Sequence, residues 1–221
     1  MPVTFSRQSP SQRYQELVYL YRQMHQEGET FLRLPGNQTF PGESLLPHAT
    51  RIRALILAAR AANILDYGSG KGRQYAIQDV VVPGEGRIES IQEYWGVDYI
   101  HCYDPGYAPF ATLPGGRFDG VIATDVLEHC PEADLSWIAN EIFDFAQRFV
   151  FASVACYAAQ KRLPNGENAH CTVRPAHWWQ NLFRSVAHRH PGIAWEVVVQ
   201  SWTQTPQGGR IAEERFGSYA S

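Results

Sequence analysis

Apolar positions alternate between helical spacing and short unbroken runs along the chain, and that alternation predicts an α/β fold. Ser9-Pro10 reads as a cap and first-turn pair, and Leu17, Leu20, Tyr21 and Met24 follow at helical spacing until Gly28. Leu34 to Ser44 is turn-rich and reads as a loop. Pro47 opens a second helix with Ile52, Leu55, Ile56 and Ala59 on one face. Ile64–Tyr67, Val97–Asp104, Phe118–Thr124 and Phe149–Cys156 read as buried strands. Pro131 begins a helix striped by Leu135, Ile138, Ile142 and Phe145. Pro175 begins another, with Thr172 as its cap and Trp179, Leu182, Phe183 and Val186 inward. Ile193–Trp202 reads as a late strand, which Gln207-Gly208-Gly209 turns back toward Arg210–Phe216 as a closing hairpin.

Two stretches break the regular order. Gln78–Arg87, rich in valine and glycine, interrupts the helix due between the first two strands and reads as a short insertion with its own turn. Pro105–Arg117 is too short for a strand plus a helix, so a third strand unit is shortened or missing.

With 221 residues, 44% apolar and 19% charged, the chain fits one α/β domain with an appendage. The expected division is an N-terminal helical cap over residues 1–60 and a core over 61–221 that carries a loop at 157–173. Cys102, Cys130, Cys156 and Cys171 form no C-x-x-C pair, which argues against zinc knuckles and disulfide frameworks. No apolar run approaches the roughly 20 residues that span a bilayer. Met1–Arg7 lacks the apolar core of a signal peptide, so no membrane and a reduced cytoplasmic setting are expected. The net charge of −3 argues against a nucleic-acid partner. Locally, Tyr157–Gly192 carries Lys161, Arg162, Arg174, Arg184 and Arg189 against Glu167 alone, a balance of +4. A solvated basic face and a site for an anionic molecule both account for it.

The candidate chemistry begins at Ile64-Leu65-Asp66-Tyr67-Gly68-Ser69-Gly70-Lys71-Gly72, a strand ending on a carboxylate and spilling into a glycine-rich turn. Glycines admit positive φ angles and let a ligand lie on bare main chain. A helix expected just after the turn would add unpaired N–H groups for an anionic or carboxylate-bearing ligand. No Walker loop is present, and the glycine spacing, with Asp104 too distant, departs from the dinucleotide fingerprint. The pattern D-x-G-x-G-x-G resembles the first motif of class I S-adenosylmethionine-dependent methyltransferases. Asp104, ending the second strand, matches the place where that family grips the ribose hydroxyls. Phe118-Asp119-Gly120-Val121 followed by Asp125-Val126-Leu127-Glu128-His129 resembles the family's fourth-strand signature. These matches cover about the middle third of the chain.

The resemblance implies a Rossmann-like, mostly parallel sheet. It also implies S-adenosylmethionine bound by Asp66, Tyr67, Gly68, Ser69, Gly70, Gly72, Asp104, Pro105, Asp125, Val126 and Leu127, with S-adenosylhomocysteine as product. An acid for the adenine amino group has no counterpart here; Tyr107 and Phe110 are the aromatic candidates, with a core role the competing account.

The loop Tyr157–Val173 follows the last strand of the set and is longer than such connections usually are. Its tip, Asn165–His170, is dense in hydrogen-bonding groups. A small polar or anionic acceptor is expected against Glu167, Asn168, His170, Arg174 and Trp178, methylated on oxygen or nitrogen. His129, His170 and Asp125 are the residues expected to carry chemistry, since histidine suits proton removal near neutrality. If a helical turn begins at Asp125, then Asp125, Glu128 and His129 share one face, and His170 completes a divalent-metal set. D-V-L-E-H also occurs in metal-free relatives, which leaves the metal open and not favoured. A nucleic-acid methyltransferase and a non-catalytic S-adenosylmethionine-binding protein are the rival readings. Sequence alone gives neither the acceptor nor the oligomeric state.

Overall fold

Alternate residues of each central strand face opposite sides, and each side has acquired its own helices. The computed structural model describes residues 4–205 and 208–218. In chain order the elements are α1 (Gln12–Glu27), α2 (Ala49–Ala59), β1 (Asn63–Tyr67), β2 (Val80–Val82), β3 (Gly86–Ile88), α3 (Ile91–Trp95) and β4 (Tyr99–Tyr103). They continue with β5 (Phe118–Thr124), α4 (Glu132–Phe145), β6 (Ala146–Ala155), α5 (Ala176–Arg189), β7 (Ala194–Thr205) and β8 (Gly208–Gly217).

Six strands form one sheet in the order β4-β1-β5-β6-β7-β8. β4 through β7 pair in parallel, and β8 returns antiparallel to β7. This is a Rossmann-like α/β fold with a C-terminal hairpin. Leu65, Val121, Ala123, Val150, Ala152, Val197 and Val199 pack under α4 and α5. Their neighbours Ile64, Ile122, Phe149, Phe151 and Val198 pack on the other face, under α2 and α3. The period-two alternation thus fills two cores at once, as a sheet covered on both faces requires. A third, smaller cluster joins Leu17, Leu20 and Met24 of α1 to Leu163 and Ala169.

The missing third unit is real among the described residues: between β4 and β5 only a 3₁₀ turn, Ala108–Phe110, interrupts the loop, and β4 is the sheet's edge. Several local expectations are corrected. No α-helix follows the glycine turn; a 3₁₀ turn, Arg73–Tyr75, leads into the antiparallel β2–β3 hairpin, where valines favour extended chain. The N-cap of α1 is Ser11, whose hydroxyl accepts from Tyr14 N at 3.0 Å, because Ser9 is engaged with Ser6 in an isolated bridge. Thr172 does not cap α5; its hydroxyl donates to Cys130 O at 2.7 Å, and Pro175 precedes the helix without a side-chain cap. The turn expected at Gln207 lies partly outside the described residues. No helix among the described residues is long and apolar enough to cross a membrane.

Candidate functional site

β1 and β4 run in parallel register, Tyr67 opposite Tyr103, so the glycine turn and Asp104 leave the sheet side by side. Gly68 and Ser69 donate their amides to Tyr103 O at 2.7 and 3.1 Å. Asp104 accepts from Gly70 N through Oδ2 at 2.9 Å and from Gly106 N through Oδ1 at 2.8 Å. Burial raises its pKa to about 6, against the opposing pull of those amides. Gly68 (φ 83°) lies against Val126, into whose side chain a Cβ would project. Gly70 (φ 57°) lies against the carbonyl of Phe40, 2.6 Å from where a Cβ would stand. Lys71 N and Arg73 N donate to Phe40 O and Pro41 O, both at 3.0 Å, and Gly72 N to Ser69 O at 3.0 Å. The loop after α1 is therefore a strap across the turn, and every amide from Gly68 to Arg73 has an acceptor inside the chain.

Asp66 is turned inward. Its Oδ2 accepts from Tyr75 OH at 2.7 Å and Gln74 Nε2 at 3.3 Å, while Oδ1 and the neighbouring Gln74 Oε1 are buried without partners. Tyr67 also points into the protein, where its hydroxyl donates to Glu141 and accepts from Arg7.

At the ends of β5 and β6 the chemistry is different. Asp125 holds a left-handed backbone (φ 55°), a conformation that costs energy in a non-glycine residue and collects at functional turns. Ser153 supports it twice, its hydroxyl accepting from Asp125 N and donating to Oδ1, each at 3.2 Å. Burial raises the Asp125 pKa. Leu127–His129 forms a 3₁₀ turn that sends Glu128 into the core and His129 between Tyr21, Phe40 and His170. The Glu128 carboxyl accepts from Ala155 N at 2.7 Å through one oxygen; the other is buried and unpartnered, and burial followed by the Asp125 charge raises its pKa well above normal. The metal set drawn from Asp125, Glu128, His129 and His170 is therefore not assembled. Among the described residues no three His, Cys, Asp or Glu side chains are placed to hold a metal ion.

His129 and His170 meet, with ring centroids 4.8 Å apart. Each spends Nδ1 on a backbone carbonyl: His129 on Ala169 O at 2.9 Å, His170 on Tyr157 O at 2.6 Å. A carbonyl only accepts, so in each neutral ring Nδ1 carries the proton and Nε2 keeps its lone pair. Burial lowers both pKa values, that of His129 to about 3 with His170 adding to the effect, so both rings are neutral at physiological pH.

α1 roofs this edge. Tyr21 OH donates to Ala169 O at 2.6 Å and sits 3.0 Å from His129 Nδ1. His25 sits 2.8 Å from the Lys71 ammonium, which also donates to Thr39 O at 2.7 Å. Arg7, just before α1, bonds Glu141 through Nε at 2.7 Å and stacks on Trp137.

The acceptor loop has a built interior. Asn168 closes it, with Oδ1 accepting from Ala159 N and His170 N and its amide donating to Ala159 O, so this side chain is occupied in holding His170. Glu167 pairs with Arg13 of α1, and Arg174 with Glu132. Glu167, Asn168 and His170 line a cleft of about 340 Å³ together with Arg13 and Glu132. Arg174 lines a separate one of about 510 Å³ with Cys156 and His177. Trp178 packs half-buried on the core beside Trp179. Pro105, Val126 and Leu127 flank Asp104 and Asp125; Leu127 is wholly buried. Tyr107 rests against His25 and Phe110.

Sequence reasoning missed Tyr21, Phe40 and Lys71 as site neighbours. Tyr21 reads as one more member of an apolar stripe, and nothing in a turn-rich loop announces that Phe40 will lie on a distant glycine. No family model matches this chain, and neither does any curated protein.

Proposed function

We propose that this chain is an S-adenosylmethionine-dependent methyltransferase acting on an oxygen or nitrogen of a small acceptor. The observation that carries the reading is two neutral histidines, both with Nε2 unspent, beside Asp125 at the strand edge that also carries the glycine turn and Asp104.

The chemistry of the edge favours a cationic cofactor over one built on pyrophosphate. Phosphate oxygens need N–H donors, and every amide of the turn is already paired. What the edge offers is carboxylate, at Asp104 and Asp125, Asp66 being turned into the core beneath them. A sulfonium carrying an α-ammonium and a ribose diol brings positive charge and donors, and so fits this set. The turn, Asp104 and Asp125 would hold it, with Asp66 behind them fixing Tyr75 and Gln74. When bound, the cofactor would supply an electrophilic methyl group for the acceptor's lone pair. His170 is the general base: its Nε2 takes the acceptor's proton, while Tyr157 O fixes the tautomer and Asn168 fixes the loop. His129 stands against it and, being neutral, leaves that imidazole basic.

Calorimetric titration with S-adenosylmethionine, S-adenosylhomocysteine and NAD tests the cofactor; binding of NAD alone overturns the reading. His170→Gln is expected to lower turnover by about 10²–10⁴-fold and to leave cofactor affinity within a factor of about two. The acid limb of the pH–rate profile is expected below the ordinary histidine value of 6.5, because burial lowers the His170 pKa. An acid limb above that value would exclude His170 as the base.

A further inference from the structure

β8 ends the sheet, and among the described residues it pairs with β7 alone; no other strand or bridge lies along its outer side. Exposed edges are normally blunted by brevity, proline, a bulge or a row of like charge. β8 has none of these. It runs from Gly208 to Gly217 without a proline, and its register with β7 is unbroken from Glu196–Gly217 to Thr205–Gly208. Gln200 is the last β7 residue paired to β6, so beyond it the hairpin stands clear of the sheet as an arm. Trp202 packs on Gly209 within that arm, where a Cβ would fall 2.0 Å from the indole. The charges of β8 are of both signs and lie on two faces. Glu213 and Arg215, on one face, pair with each other at 3.5 Å, and Glu213 also accepts from Gln200 Nε2 at 3.2 Å. Arg210 and Glu214 lie on the other face, exposed and with no ion pair among the described residues.

We propose that β8 is the interface of a two-fold dimer, in which the edges of two copies of this chain pair antiparallel about Ala212 and form one continuous sheet. A two-fold axis that joins two edges in this way stands perpendicular to the sheet and sets residues of the same face opposite each other. The axis therefore passes through a residue position of β8, and charge decides which one. Centred on Arg210, Glu213, Glu214 or Arg215, it opposes that charge to its own copy. Centred on Ile211, it sets no charge opposite a counter-charge, and the ladder from Gly209 reaches only to Glu213. Centred nearer either end, few residues pair. Centred on Ala212, it sets Arg210 opposite Glu214 of the second copy on both sides of the axis, and the ladder runs from Gly209 to Arg215. Both unpaired charges are then answered, and the Glu213–Arg215 pair is left as it stands. Glu214 also lines the cleft of about 510 Å³ with Cys156 and His177, so each copy places its Arg210 at the mouth of the other's cleft.

The test uses the full chain and needs no cofactor. Sedimentation velocity over a range of concentrations is expected to show a monomer–dimer equilibrium. Arg210→Glu and Glu214→Arg each create two like-charge oppositions across the axis, so each is expected to weaken the dimer about tenfold or more, and the two together to restore it. Ala212→Cys sets two thiols opposite each other at a Cα separation of about 4.5–5.5 Å, within disulfide reach. Mild oxidation should then yield a covalent dimer that neither the parent chain nor Ile211→Cys gives. A chain that stays monomeric at every concentration overturns the proposal. So does a dimer indifferent to both single reversals, or one in which Ile211→Cys cross-links faster than Ala212→Cys, which would move the axis. Arg210 and Glu214 are exposed, and should either reversal fail to fold, the cross-link at Ala212 decides alone.

Discussion

Asp66, next to last in β1, carries a carboxyl group that water does not reach, one oxygen accepting from Tyr75 and Gln74 and the other from nothing. Burial raises its pKa to about 7 from an ordinary 3.8, with the Asp104 charge adding to the rise against the bond from Tyr75. The folded state thus keeps a proton that the unfolded chain has lost, and stability falls as pH rises from about 4 to about 7. Fully expressed, the effect is of order 4 kcal/mol. Asp104, raised to about 6, acts with the same sign. Asp66→Asn is therefore expected to flatten the fall of melting temperature across that window and to exceed the parent in stability at pH 8. Calorimetric scans at several pH values measure this, and a variant that tracks the parent would show that the carboxyl carries no burial penalty. The position of Asp66 before the glycines was legible in the sequence. Its inward turn was not, because it depends on a 3₁₀ turn bringing Gln74 and Tyr75 back over β1 where a helix was expected.

Among the elements, α1 is the one whose loss reaches the site most directly. Ser11 caps it and also donates to Asp134 twice, through N at 3.0 Å and Oγ at 2.5 Å, while Asp134 is wholly buried. Ser11→Ala removes the cap and one of three donors to a buried carboxylate, the third being Trp137 Nε1 at 2.8 Å, so a loss of about 1–3 kcal/mol in denaturant unfolding is expected. Serine at 9 and serine at 11 are equivalent to a sequence pattern. Only the Ser6–Ser9 bridge and the distant Asp134 separate them. The shortened third unit was readable for the opposite reason: 13 residues from Pro105 to Arg117 cannot hold a strand and a helix, whatever their packing. The shared face of Asp125, Glu128 and His129 was illegible at this scale too, since it needs an α-helical turn and the chain takes a tighter one.

For the whole molecule, the two-faced sheet followed from strand alternation, whereas its cross-links did not. Glu196 on β7, fully buried, is held by Arg51 of α2 through Nε at 2.8 and 3.0 Å. Arg51→Ala leaves that carboxylate alone in the core. A loss of about 1–3 kcal/mol is expected in denaturant unfolding, below the value for a wholly buried pair because 37% of the arginine side chain is exposed. An unchanged unfolding midpoint would mean that water reaches Glu196 once the arginine is gone. The roof over the carboxyl edge has a consequence in time. Tyr21 and Ala169, joined across the site, stand 148 positions apart. At ribosomal speeds of about 5–20 residues per second, α1 leaves the exit tunnel roughly 7–30 s before the loop it must cover. Throughout that interval Leu17, Leu20 and Met24 lack Leu163 and Ala169, and they are the surface a chaperone would meet during synthesis. α1 is made before its partners and finds its place after them.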